Sequence, residues 1–122
     1  MSRVLVVDGA NVVGSRPDGW WKDRAGAARR LHDQLLTADT SYDEVVLVLE
    51  GAARGGVAAG RDHHVRTVHA PRDGDSEIVA ATREAVGTGA SVTGVSAVRG
   101  LGAAVTTVGA AVMSPSWLLD QL

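Results

Sequence analysis

Apolar residues fall in short blocks separated by polar and glycine-rich stretches. Val4 to Val7 is a run of β-branched and leucine side chains bounded by Arg3 and by Asp8-Gly9. That length and composition predict a strand buried on both faces. Glu44 to Glu50 (EVVLVLE) repeats the design: an apolar run closes on a carboxylate, and Gly51 follows Glu50 as Gly9 follows Asp8. Between the two runs, from about Trp20 to Leu36, Ala27, Ala28, Leu31, Leu35 and Leu36 recur near helical spacing. Asp23, Arg24, Arg29, Arg30 and Asp33 are interleaved with them, so the segment predicts an amphipathic helix.

The second half continues the alternation. GAARGGVAAG, Gly51 to Gly60, holds four glycines, and the entropy they lose on ordering favours a loop over a weak helix. His64 to Ala70 reads as a third strand, closed by a turn at Pro71-Arg72-Asp73-Gly74. Asp75 or Ser76 is placed to cap a helix through IVAATREAVG that stops near Gly87 or Gly89. Ala90 to Val95 is a fourth strand, Ser96 to Val108 a helix and Ala110 to Met113 a short fifth strand, before a helical turn at Pro115-Ser116-Trp117. Strands alternating with helices predict a three-layer α/β/α domain with a central, mostly parallel sheet of about five strands, residues 1–122 forming one domain.

Composition narrows the function classes. The 122 residues are 45% hydrophobic and 21% charged, as in ordinary globular chains, with no Phe and one Tyr, so the core must be built from Val, Leu, Ala and Ile. Twelve basic against fourteen acidic residues give a net charge of −2, so any polyanion site must be local. The absence of Cys excludes a disulfide scaffold and a cysteine zinc site, and no apolar run reaches membrane-spanning length. A soluble, cytoplasmic protein is the expectation.

The candidate chemistry lies at the strand ends. Open parallel sheets bind ligands outside the C-terminal ends of their strands, where helix N-termini point their amides. Asp8 closes the first strand, Glu50 the second, and Asp75 with Glu77 opens the helix after the third. Singly, each acid is explained by a turn, a solvated strand end or a helix cap. Together, carboxylates crowded at one edge repel unless protons or cations intervene, and hard oxygen ligands suit Mg²⁺ or Mn²⁺.

VVDGANV, VLVLEG and GDSEIVAATRE resemble the PIN-like nuclease superfamily in its NYN branch, and DGANVVGSRPDGWWKDRAGAA resembles a small actinobacterial group within it. The resemblance implies that Asp8 is the principal ligand of Mg²⁺ or Mn²⁺ and Asp75 the second. Glu50 would be a third ligand, direct or through water, Glu77 would belong to the same acidic set, and Asn11 would position the loop or a water. The implied activity is metal-dependent hydrolysis of RNA phosphodiester bonds. One departure stands out. Members commonly carry a further Asp just after the fourth strand, where this chain has SVTGVSAVRG with Val95 at the matching place, and no acid occurs from Ala85 to Leu119. That leaves two rivals: a noncatalytic RNA-binding or regulatory relative, and a metal-dependent nucleotide phosphohydrolase.

Other features are compatible with a polyanion. Arg54, Arg61, His63, His64, Arg66, His69 and Arg72 form a locally basic stretch, read equally well as the charged face of an edge strand. The His63-His64 pair is excluded from the site, since adjacent strand residues point to opposite faces. Arg16, Trp20, Lys22 and Arg24 follow the Asp8 turn, where single-stranded RNA can stack a base on Trp20 and set phosphates on the cations; Arg54 and Arg72 complete the expected contacts. No phosphate-binding Gly-x-x-x-x-Gly-Lys loop and no Gly-x-Ser-x-Gly elbow occurs. Finally, VSAVRGLGAAVTTVGAAVM carries Arg99 as its only charge, which predicts a deeply buried helix or a homodimer through Val95 to Met113.

Overall fold

The computed structural model describes residues 2–122, the side chain of Arg99 excepted. It is a three-layer α/β/α domain around one six-stranded sheet of order β3-β4-β2-β1-β5-β6. The strands are β1 (Arg3–Asp8), β2 (Glu44–Leu49), β3 (Gly60–Asp62), β4 (Val65–His69), β5 (Ser91–Val95) and β6 (Ala111–Met113). All neighbours are parallel except β3, which pairs antiparallel with β4. The helices are α1 (Gly9–Gly14), α2 (Arg24–Thr37), α3 (Gly74–Gly87), α4 (Arg99–Thr107) and α5 (Pro115–Leu119), with 3-10 turns at Trp20–Lys22 and Gly51–Gly56. None of them is long and apolar enough to cross a membrane.

Strand parity divides the core in two. On β1, Leu5 and Val7 pack with Val12, Ala28, Leu31, Leu35 and Leu118 under α1, α2 and α5. Val4 and Val6 face the other way and pack with Ile78, Ala81, Leu101 and Val105 under α3 and α4. Strands covered on both faces must be apolar throughout, which is why β1 and β2 read as unbroken hydrophobic runs.

Four elements differ from the sequence expectation, each for a local reason. Asp8-Gly9, which reads as a turn, instead opens α1: the Asp8 side chain caps it by accepting the Asn11 N–H at 3.3 Å. The long helix begins at Arg24, because Asp23 caps it by accepting the Gly26 N–H at 2.9 Å, and Trp20–Lys22 forms a separate turn. The cap of α3 is Asp73, accepting the Ser76 N–H at 2.9 Å, which puts Asp75 inside the first turn. That N–H bond also holds the exposed Asp73 carboxyl below its ordinary range. The Gly51–Gly60 loop is partly ordered: its 3-10 turn lies so close to α2 that a Cβ on Gly56 would collide with the Ala25 carbonyl oxygen. The chain then adds the short edge strand β3, turned by His63 at φ 53°.

Gly9 and Gly87 give opposite expectations. A Cβ on Gly9 would lie 2.6 Å from the Val48 carbonyl oxygen and 2.8 Å from Leu49 Cδ2, whereas one on Gly87 meets nothing within 4 Å. Gly9→Ala is expected to cost about 1–3 kcal/mol by overpacking. Gly87→Ala is expected to stabilise by about 0.4–1 kcal/mol by restricting the unfolded chain. Urea midpoints of the two variants check both signs.

Candidate functional site

The same parity aims the acids. Asp8 follows Val7, so its side chain lies on the α3/α4 side of the sheet with Val4 and Val6, at the C-terminal end of β1. It is 4% exposed. Ser96 Oγ donates to its Oδ2 at 3.0 Å and the Asn11 N–H to its Oδ1 at 3.3 Å. Burial raises the Asp8 carboxyl above the ordinary carboxylate range; the bonds from Ser96 and Asn11 oppose that, and the charges of Asp75 and Glu50 add to it. Asp8, Asp75 and Glu50 therefore share one electrostatic field, as the strand-end pattern predicts.

Glu50 is less free than Asp8. Its Oε2 accepts the N–H of Gly74 at 2.7 Å, tying the end of β2 to the first turn of α3. Asp75 is exposed beside it. Glu77 does not join this set. The buried face of α3 carries Gly74, Ile78, Ala81 and Thr82. Asp75 and Val79 lie on the flank of that face that meets Val98, Leu101 and Ala104. Glu77 is two residues past Asp75 and so turned about 200° from it, on the other flank.

The segment after β5 closes the site. Register pairs Val95 with Val7, and Val95 is 0% exposed in the core under α1 and α2. It is thus not at the place of the expected further acid. Ser96 and Val98, the residues that follow, are the ones that lie beside Asp8 and Asp75. Ser96 Oγ, besides donating to Asp8, accepts the Val98 N–H at 3.2 Å, and Asn11 Oδ1 accepts the Ala97 N–H at 2.8 Å. Asn11 thus positions the loop, the structural half of its expected role. Val98 is the N-cap of α4 with no side-chain cap bond, is 36% exposed, and borders a depression shared with Asp75. Sequence reasoning missed Ser96; its signal was a hydroxyl directly after an apolar strand that must lie beside Asp8.

A cleft of about 290 Å³ lies on the opposite side of the strand ends. Gly9, Ala10, Val13, Leu49, Gly51 and Ala53 supply apolar and backbone walls, and Trp20, Arg24, Glu50 and Arg72 supply the chemistry. The Arg24 guanidinium lies 5.2 Å from the Trp20 ring centre, a cation–π contact. Of the six residues expected to contact substrate, Trp20, Arg24 and Arg72 are thus together on this cleft. Arg16, Lys22 and Arg54 are not on the cleft: Arg16 bonds Gln34 Oε1 at 2.6 Å, Lys22 is exposed, and Arg54 bonds the Gly51 carbonyl at 3.2 Å. Most of the basic stretch is occupied structurally. Arg61 pairs with Glu44, His63 with Asp62, His64 with the Leu35 carbonyl and His69 with the Val57 carbonyl. Arg66 sits among Asp43, Glu44 and Glu84 beside Ser2 and Val4, near the start of β1.

The apolar α4 is accounted for within the chain. Leu101 and Val105 are buried against α3 and the sheet, while Thr106 and Thr107 return their hydroxyls to the Gly102 and Ala103 carbonyls at 2.9 Å each. Its outward face is small and polar enough to meet water, so no second subunit is needed to explain it.

Two outcomes follow from this geometry. The unfolded chain lacks the burial that raises Asp8, so the folded state binds the Asp8 proton more tightly. Its contribution to stability is complete below the ordinary carboxylate range and is lost as pH rises through the raised value. Asp8→Asn is therefore expected to be more stable than the parent at pH 7, with the gain shrinking toward pH 4 in urea titrations. At the uncapped start of α4, Val98→Asn is expected to add about 1 kcal/mol by supplying the missing N-cap acceptor, read as a raised urea midpoint.

No protein-family model matches the chain, and no curated protein sequence does. Among solved structures, that of Rae1 (YacP) from Bacillus subtilis matches 98% of this chain and 74% of its own, with a TM-score of 0.73 and 19% identity. At that identity the likeness speaks to architecture: this chain shares its fold with that structure, and the α/β/α arrangement around a mostly parallel six-stranded sheet is consistent with a PIN-like fold.

Proposed function

We propose that this chain is a divalent-metal-dependent ribonuclease acting at the acidic edge around Asp8. The supporting observation is a buried carboxylate at the end of the central strand, held by Ser96 and Asn11 and loaded by the charges of Asp75 and Glu50. A deliberately costly charge of that kind, at the sheet edge where open α/β folds bind ligands, is characteristic of functional sites.

The donor set suits Mg²⁺ or Mn²⁺ in a particular way. Among the described residues, no three His, Cys, Asp or Glu side chains are grouped to hold an ion by themselves. Mg²⁺ needs no such cage: it keeps several waters and is usually held by one or two carboxylates together with substrate phosphates. Asp8 and Asp75 would be those carboxylates. Each oxygen of Asp8 accepts one described hydrogen bond and retains acceptor capacity. Glu50 is tied to Gly74 and contributes mainly by charge; Glu77 has no part. When bound, the ion supplies an activated water and neutralises charge growing on the phosphoryl oxygens. The chain's own residues do the placing: Ser96 and the cap of α1 fix the Asp8 carboxylate, Asn11 holds the 96–98 loop, and Arg24, Arg72 and Trp20 hold the RNA strand.

A noncatalytic RNA-binding protein is the second reading. It is favoured by the absence of any acid from Ala85 to Leu119 and by Val98, an exposed apolar side chain on the depression that Asp75 lines.

Incubation of single-stranded RNA with the protein in Mg²⁺ or Mn²⁺, beside chelator and beside Asp8→Asn, tests the pair. Metal-dependent cleavage reduced about 100-fold or more by Asp8→Asn is expected, since such an ion supplies several kcal/mol to the transition state. RNA retention without cleavage in every metal would sink the nuclease reading in favour of the second.

A further inference from the structure

We propose that the cleft beside α1 is a guanine subsite, taking the base of one guanosine nucleotide of the RNA strand. This rests on the reading of RNA as the ligand, and adds which base enters and what selects it.

The volume, about 290 Å³, lies at the small end of ligand pockets and suits one base with its sugar edge. Val13, Leu49 and Ala53 give a flat apolar lining, and the half-buried Trp20 gives an aromatic surface. Bases bind on such surfaces through their π-faces. Arg24 and Arg72 line the same cleft, and among the described residues neither is in an ion pair. Two guanidiniums outside any described ion pair, one of them lying over the Trp20 ring, beside an apolar slot match a ligand that joins a flat ring to an anion. An apolar peptide side chain would leave both without a partner.

Selection falls to Glu50, the one acidic side chain on the cleft. A carboxylate accepts hydrogen bonds and donates none. The Gly74 N–H at 2.7 Å orients it through Oε2 and leaves acceptor capacity on both oxygens. Guanine presents two adjacent donors, N1–H and the N2 amino group, which match the two oxygens of a carboxylate. Adenine and cytosine set a ring-nitrogen acceptor beside their amino group, so one carboxylate oxygen would face a lone pair. Uracil flanks its single N3–H with two carbonyls, which repel a carboxylate on both sides. The carboxylate therefore favours guanine by attraction and rejects the others by unpaired or repelled groups. Asp8 and Asp75 do not line the cleft, so base binding and the acidic edge are neighbouring sites joined by Glu50.

The test is binding of 5′-GMP, AMP, CMP and UMP to the full chain, read by tryptophan fluorescence in excess EDTA so that no divalent ion contributes. GMP is expected to bind about 10- to 100-fold more tightly than the other three, the range for hydrogen bonds to a charged group. Glu50→Gln keeps an oxygen for the Gly74 N–H and replaces the other with a donor, so it is expected to erase the GMP preference while circular dichroism stays unchanged. Arg72→Ala is expected to weaken GMP toward the affinity of guanosine. Equal binding of the four nucleotides, no binding of any, or a GMP preference that survives Glu50→Gln would overturn the proposal. Metal-dependent RNA cleavage without a GMP preference would leave the nuclease reading standing and remove the subsite. A GMP preference without cleavage would do the reverse.

Discussion

A carboxylate buried at the end of the central strand is the constraint around which this fold is arranged. A charge shielded from water is costly unless its oxygens are hydrogen-bonded, and Asp8 recruits its partners from far apart in the sequence. Ser96 comes from the end of β5 and the Asn11 N–H from the first turn of α1. Both arrive because β1 is flanked by parallel neighbours in fixed register, so that Val7 pairs with Val95 and the next residues, Asp8 and Ser96, emerge together. The cap that satisfies Asp8 also starts α1. Gly9 must follow it, because the helix passes so close to β2 that a side chain there would strike the Val48 carbonyl.

The strand ends then separate two chemistries. Parity sends Asp8 toward α3 and α4, where Asp75 lies, and leaves the other side to Val13, Trp20 and Leu49. Glu50 touches both, through its bond to Gly74 and its place on the cleft. The acidic side repels a phosphate chain unless a cation intervenes; the cleft side attracts it through Arg24 and Arg72. A strand of RNA lying across this edge would be drawn in by the arginines and admitted past the acids only with a counter-ion.

Much of this was legible in the sequence because it follows from periodicity and strand-end position. The unbroken apolar runs marked β1 and β2, shorter β-branched stretches marked β4, β5 and β6, and Asp8, Glu50 and Asp75 were readable as a group because every parallel strand ends at the same edge. What was not legible depended on contacts of single residues. α1 is only six residues long and begins with Asp-Gly, so no periodicity distinguishes it from a turn. β3 is three exposed residues whose pairing with β4 is set by a tertiary turn. Trp20, Arg24 and Arg72 share one cleft, whereas Arg16 and Arg54 are diverted by Gln34 and Gly51, partners that charge patterning cannot reveal. Val95 and Val98 illustrate the limit most directly. Three residues separate a core position from an exposed rim position, and the register with Val7 is what puts Val95 in the core.

Val98 also shows what the chain gives up and gains at this edge. An acid there would cap α4, whose first turn now has no side-chain acceptor, and would stand over the depression that holds Asp75. It would also add a charge beside a carboxylate whose ionisation burial, Asp75 and Glu50 already disfavour. Valine removes that repulsion at the expense of a helix cap, and it places apolar surface at the rim. If this edge is the proposed metal and RNA site, fewer protein oxygens would leave an ion more dependent on the phosphates it meets, so that cation and RNA would each strengthen the other's binding.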